Sequence, residues 1–505
     1  MDRAAARAVR LAAGALCCAV FASLPVQAAQ ERLSAVRAAV DRGDFKGAEA
    51  AIAAALAQPS TAAVQRNELE FERERMRRIR LDFRLPRSEM EARLRQAVPD
   101  LRAGELRAWD TPRLLEQLRI DGETRYFKSA VDNLFRIDAK AAARRATPLP
   151  SNDGPLYRYT PYHAEVRRLA LDAGRASVAP RRITVDYSLS VDADAVPAGE
   201  TVRAWLPYPR AIAGQQEQLK LLASEPPQAQ IAPESALQRT VYLEKTAQAG
   251  VTTTFSIRYE LVTYATYHAV DADKVVPAPV TAELAPHRGE RPPHIVFTPA
   301  LKRFSRAVVG DEKNPYRIAQ KLFAAVDAIP WATAREYSTI SNISDYALHA
   351  GHADCGQQTL LLMALLRLNG IPARWQSGWE FAERDFDTMH DWGWLYLAPY
   401  GWLPMDVTHG RLAGAPAELE GFYLGGLDGY RIAFNDDYSR DFVPPKQHFR
   451  SETVDLQRGE VEWKGGNLYF DQWDYRFTWQ VAPAQPPAAP DQTRAGPGPA
   501  PLHEL

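Results

Sequence analysis

Residues 352–358 read His352-Ala353-Asp354-Cys355-Gly356-Gln357-Gln358, followed by the apolar run Thr359-Leu360-Leu361-Leu362-Met363-Ala364-Leu365-Leu366. The run stops at Asn369-Gly370-Ile371-Pro372. Asn or Gly just past the last apolar turn, with proline beyond it, marks a helix C-terminus. Cys355 therefore falls in the first turn of a predicted helix, where unpaired backbone N–H groups and the macrodipole favour a thiolate over a thiol. Downstream come His390-Asp391-Trp392-Gly393-Trp394-Leu395-Tyr396-Leu397 and Tyr400-Gly401-Trp402-Leu403-Pro404-Met405-Asp406. Cysteine, histidine and aspartate are the parts that nucleophilic acyl transfer requires: a nucleophile, a base, and a carboxylate that orients the base.

The order and setting of these residues resemble the transglutaminase-like branch of the papain-like cysteine enzymes. Four details carry the resemblance: Asp354-Cys355 opening a helix, Gly370-Ile371-Pro372-Ala373-Arg374 after it, a strand opening His390-Asp391-Trp392, and Gly401-Trp402 leading to Asp406. It spans residues 315–410. It implies an α+β core, a central helix packed on an antiparallel sheet, with Cys355, His390 and Asp406 as catalytic residues. Members often carry an acidic residue four positions after the histidine; here Trp394 stands there.

Other residues compete for the same roles. His349 and His352 precede Cys355 and are rival bases, and His349-x-x-His352-x-x-Cys355 with His390 has ligand-like spacing. It lacks the paired cysteines of structural zinc sites, so neither metal nor cofactor is expected. Among the carboxylates, Asp391 should point away from the face of His390, and Asp354 reads as a local helix cap. Asp406 raises a geometric difficulty. With Pro399-Tyr400-Gly401 as the hairpin loop, it lies opposite Trp394, about 13 Å of strand from His390. A bulge or strand twist is then needed, although the family resemblance says the pair meets. His390, Trp392, Trp394 and Tyr396 share one face of the strand, so Trp392 and Trp394, with Trp375, are expected to wall the substrate cleft. An oxyanion hole needs a donor beside the nucleophile's backbone N–H; Tyr337 is the first candidate, ahead of Trp331 and of Gln357 or Gln358.

The remaining sequence frames this core. A chain of 505 residues suggests about three units. The 46% hydrophobic and 24% charged content fits a soluble globular protein, and a net charge of −1 offers no general attraction to nucleic acid or anionic membrane. Arg3, Arg7 and Arg10 precede an apolar run over 11–24, and Val26-Gln27-Ala28 has the small-residue cleavage pattern of an export signal. Removal of residues 1–29 takes Cys17 and Cys18 with it and leaves Cys355 as the one cysteine. An unpaired cysteine in an oxidising compartment is a liability unless its thiol is used. The expected location is periplasmic or secreted, with no stable membrane insertion after processing.

Residues 30–177 have helical periodicity, with a run of arginines over 73–80 that interleaving glutamates mark as a solvated, salt-bridged face. From 178 to 268 the period changes to two, which predicts an antiparallel β-sandwich. The transglutaminase-like core is expected over 269–440, a C-terminal β segment over 441–481, and a disordered Pro/Ala-rich tail over 482–505. The function expected is a cysteine hydrolase or acyltransferase acting on peptide or side-chain amides. Peptides or proteins are the substrates, cell-wall peptides among them, and a peptidase or amidase is favoured. A protein-glutamine transamidase and a silent peptide-binding module are the alternatives.

Overall fold

A central antiparallel sheet orders its four strands as Gly401–Met405, Asp387–Leu397, Ala373–Phe381 and Arg431–Asn435. A computed structural model describes residues 29–150 and 154–484; residues 1–28 of the expected export signal and nearly all of the expected tail lie outside them. One face of the sheet carries the helix Cys355–Leu368, buried from Gly356 to Arg367. Its run of leucines is apolar on every side, which suits a helix enclosed by protein all round. The sheet covers it on one side, and the helices Pro299–Val309, Pro315–Asp327 and Ile343–Ala350 pack into the same core. The start is a capping box: Gln357 N–H donates to Asp354 Oδ1 at 3.0 Å, and Asp354 N–H donates to Gln357 Oε1 at 3.2 Å. Asp354 is thus the cap that the sequence suggests.

The β-sandwich is present but not confined to 178–268. One sheet runs Gly426–Leu427, Thr253–Tyr267, Ser177–Val191, Trp473–Pro483, with Gln216–Glu225 also paired to Thr253–Tyr267. The other runs Gly466–Leu468, Glu460–Trp463, Thr201–Pro207, Thr240–Thr246, Gln230–Ile231. The stretch expected as a separate C-terminal β segment therefore completes both sheets. Its last strand continues through Pro483, past the point where the tail was expected to begin, because Pro483 is still in register with Arg181. The sandwich core is continuous with the central sheet: Trp379, Phe381, Ile432 and Phe434 join it, and Trp379 stacks on Phe477 at 4.5 Å.

The N-terminal region is helical with a core of its own, including Leu69, Met76, Ile79, Trp109, Phe127 and Phe135, plus a short hairpin, Gln117–Ile120 with Glu123–Tyr126. The last helix of the stretch 30–177, Pro161–Ala173, instead sends Val166 and Ala170 into the central core. The arginine run is only partly a solvated face. Arg73 and Arg77 make half-exposed ion pairs with Glu49, Glu70 and Glu74. Arg75 and Arg78 are buried, because the helix Ala63–Asp82 lies against the rest of the molecule there, reaching Thr339 O and Ser451 O. Among the described residues, no helix is long and apolar enough to cross a membrane.

Candidate active site

The hairpin register decides whether the histidine and aspartate meet. Leu397 pairs with Gly401, so the loop is 398–400, one residue earlier on both strands than the counting above assumed. Trp394 then faces Pro404, and Asp406, just beyond the strand, comes opposite Trp392 and diagonal to His390. Diagonal neighbours lie within side-chain reach, and no bulge is needed. His390 Nε2 and Asp406 Oδ2 are 2.7 Å apart. Asp406 Oδ2 also accepts from Arg431 Nη1 at 2.9 Å, while its Oδ1 accepts from the backbone N–H groups of Thr408 and His409, each at 3.2 Å. Burial works to raise the Asp406 pKa, but His390, His409 and Arg431 outweigh it and hold the carboxylate well below its usual range.

With Nε2 engaged by Asp406, Nδ1 is the nitrogen His390 has left for another partner. His390 and Cys355 line the same small cavity, about 110 Å³, with Tyr157, Trp331 and Thr408 around them. A second cavity of about 250 Å³ also opens at Cys355, lined by residues 333–337 and by Asp354, Asp391, Glu452, Asp455 and Arg458. The thiol itself turns toward this second cavity: Cys355 Sγ donates to Asp391 Oδ2 at 3.2 Å. The strand alternation holds, with Asp391 on the face opposite His390, but the start of the Cys355 helix lies within reach of it.

Residues 302–407 match the family model of the transglutaminase-like superfamily. This part of the chain is a transglutaminase-like domain. No curated protein matches the sequence. Among solved structures, the chain is similar to a candidate cysteine protease from Cytophaga hutchinsonii, with 16% identity and a TM-score of 0.42, over 63% of this chain and 93% of that one. It is also similar to the periplasmic domain of TgpA from Pseudomonas aeruginosa, with 13% identity and a TM-score of 0.24, over 52% of this chain and 95% of that one.

Within the transglutaminase-like domain, the electrostatics around the cysteine differ from the sequence expectation. Burial, then the charges of Asp391 and Asp354, push the Cys355 thiol well above its ordinary value despite the helix N-terminus. The macrodipole contributes a partial charge; carboxylates within hydrogen-bonding distance in a desolvated pocket exceed it. The carboxylates are themselves displaced. Burial and the neighbouring Asp455 raise Asp391 far above the usual range, and burial raises Asp354 to about 7 and Glu452 to about 8. Gln457 Nε2 donates to Asp391 Oδ1 at 3.0 Å and fixes its orientation.

Tyr337 lines the larger cavity, as an oxyanion donor should, but its hydroxyl donates to Asp354 Oδ1 at 2.8 Å. Asp391 Oδ2 lies 3.3 Å from the same hydroxyl, so its one proton goes to one of these two carboxylates. Gln358 is also engaged, donating to Ile329 O and accepting from Thr408. Gln357 closes the capping box through Oε1 and its buried Nε2 has no partner among the described residues, but it lines neither cavity. Trp331 is the candidate that lines both cavities beside Cys355. The three tryptophans expected to wall the cleft line neither. Trp375 is fully buried, with its indole N–H on Ser377. Trp392 and Trp394 both donate to Gln376 Oε1, at 2.6 and 2.9 Å, so the sheet's aromatic face is interior packing.

His349 is an exposed residue on the helix Ile343–Ala350, hydrogen-bonded to Asp345 O, and His352 is buried beside Glu116; neither lines a cavity at Cys355. The proposed ligand spacing thus does not converge. Glu380, His390 and His409 do bring ligand-type atoms within 4.8 Å of one another. Their ring nitrogens are already paired with protein, His409 with Glu380 at 2.9 Å and His390 with Asp406, whose Oδ2 also accepts from Arg431. Glu380, His409, Arg431, Asp455 and Gln457 escaped sequence reasoning. His409 alone carried a signal, lying three positions after Asp406.

Proposed function

We propose that this protein is an exported cysteine enzyme that attacks peptide or side-chain amides through a thioester on Cys355. His390 Nδ1 takes the thiol proton and later returns it to the leaving amine; Asp406 fixes the imidazole tautomer through Nε2. The observation that carries this reading is the hydrogen bond between His390 and Asp406 at the cavity His390 shares with Cys355. The helix N-terminus supplies backbone donors for the tetrahedral oxyanion, and Trp331 is the side chain best placed to add one. Rotation of the Cys355 side chain from Asp391 toward His390 is the step that arms the nucleophile.

The thioester passes to water in a peptidase or amidase and to an amine in a transamidase. Hydrolysis is the favoured outcome, since water is always available, with envelope peptides as the substrate class. The contact between Cys355 and Asp391 favours one alternative, a peptide-binding module that keeps the fold without turnover. Mass spectrometry of the processed protein after exposure to peptide libraries separates them. An acyl adduct on Cys355, absent in Cys355→Ala, is expected. Peptide binding that survives Cys355→Ala, with neither adduct nor turnover in the wild type, overturns the enzyme reading.

A further inference from the structure

Residues 331–337 supply Trp331, Thr333, Ala334, Arg335, Glu336 and Tyr337 to the larger cavity beside Cys355. Apart from a 3₁₀ turn at Tyr337–Thr339 and a bridge from Trp331 to Ala353, this segment belongs to no helix or sheet. Its backbone polar groups must therefore find partners elsewhere. Thr333, Glu336 and Thr339 find some of theirs in the N-terminal helical region. Asn133, 2% exposed, donates from Nδ2 to Thr333 O at 2.9 Å and accepts from Thr333 N–H at 3.0 Å. Asp82, 1% exposed, accepts at Oδ2 from Glu336 N–H at 3.0 Å and from the Thr339 hydroxyl at 3.3 Å. Buried Arg75 donates to Thr339 O at 3.3 Å, and the Arg136 guanidinium lies 5.2 Å from the Trp331 ring centroid.

We propose that the helical region is a working part of the cleft: Asn133, Asp82 and Arg75 are positioning residues that hold residues 331–339, and through them set where Trp331 and Tyr337 stand against Cys355. This rests on the reading of Cys355 as the nucleophile. The polar groups involved are buried and aimed at individual backbone atoms of one irregular segment. An interface serving stability alone has no need of that specificity; well-packed apolar residues would serve as well. A wall that contributes to the oxyanion site acts on the transition state, so displacing it lowers kcat more than it raises KM.

The test uses the full chain carrying Asn133→Ala or Asp82→Ala, with Asp82→Asn as the variant that keeps an acceptor for Glu336 N–H. Hydrogen exchange by mass spectrometry and iodoacetamide labelling of Cys355 are followed beside peptide turnover. Both alanine variants are expected to exchange roughly tenfold faster over 331–339 while protection in Cys355–Leu368 is kept. Their kcat falls about 10²-fold, the cost of a misplacement near 1 Å, and Asp82→Asn recovers most of it. Should Asn133→Ala lose its circular dichroism signal, Arg136→Gln, which removes only the guanidinium over Trp331, replaces it. Unchanged exchange over 331–339 overturns the proposal, as does faster exchange there with wild-type kcat. If the wild type turns over no peptide, the reading of Cys355 fails separately. The exchange and labelling arms then decide: labelling unchanged in a loosened segment overturns the positioning role.

Discussion

At Cys355 one sulfur has two candidate partners. Asp391 holds it as a thiol in this structure, and the pair of His390 and Asp406 waits across the smaller cavity. The raised thiol pKa predicts that iodoacetamide labelling of the free protein climbs only above about pH 8.5. In Asp391→Asn, a like charge opposing the thiolate is gone, so the labelling profile should move to lower pH; an unmoved profile would show that Asp391 does not restrain the thiol. For turnover, Cys355→Ala and His390→Ala should each abolish activity, and the double variant should be little worse, because both act on one transition state. Asp406→Asn should cost roughly 10²–10⁴-fold in kcat, by leaving His390 in the wrong tautomer. Steady-state kinetics on one peptide substrate compares all four, and additive losses would break the assignment.

The elements that carry these residues were legible to different degrees. The Cys355 helix announces itself by an apolar run between Asp354 and Asn369-Gly370, and its capping box forms as those residue types allow. The hairpin was legible as an element but not in register: which residues make the loop decides whether Asp406 reaches His390, and both loop choices suit the sequence. Gly356, in the first turn of the helix, makes a demand no local pattern shows. A Cβ there would lie 2.2 Å from Tyr337 Oη and 2.7 Å from Asp391 Oδ2. Ala is the better helix former by about 1 kcal/mol, so Gly356→Ala would stabilise an isolated helix. In the folded protein it should displace Tyr337 and Asp391, lower the melting temperature, and cut activity. Thermal melting read beside peptide turnover checks both, and a stabilised, fully active variant would show that this close approach is dispensable.

Across the whole molecule, the enclosed carboxylates beside Cys355 tie stability to pH. Glu452 titrates at about 8 in the fold, against about 4.3 in an unfolded chain. Between those values the folded state binds the extra proton, so stability falls as pH rises through the window; Asp354, at about 7, adds to the trend. Asp406 acts in the opposite sense, with stability present above its unfolded value and lost as pH drops below it toward the depressed folded value. Burial lowers His287 and His294 to about 4, so they add stability as pH rises to about 6.5 and oppose this trend below that point. The melting temperature should therefore decline from about pH 6.5 to pH 8. Glu452→Gln should flatten that decline and melt higher than wild type at pH 8, as differential scanning calorimetry across buffers would record. A variant with the wild-type slope would mean that Glu452 does not hold the proton.

By itself the sequence determined the local and the chemical: a capped apolar helix opening at Cys355, a strand through His390 (its start, at Asp387, lies three residues before the expected one), period-two strands after residue 178, and a helical N-terminal region with enough large apolar groups for a core. These depend on periodicity, capping and residue chemistry, all carried by neighbours in the chain. What only the tertiary structure decided are pairings between distant segments. The strand Trp473–Pro483 closes a sheet begun at Ser177–Val191, Arg431 reaches Asp406, Asp391 rather than His390 holds the thiol, and buried Asn133 and Asp82 hold a cleft wall some 200 residues or more away. An alternating strand specifies its faces but not its partner, and a charged or polar side chain carries no mark of burial. The pKa of Cys355 followed the same division, since the helix N-terminus is local and the carboxylates that outweigh it are brought in by the fold.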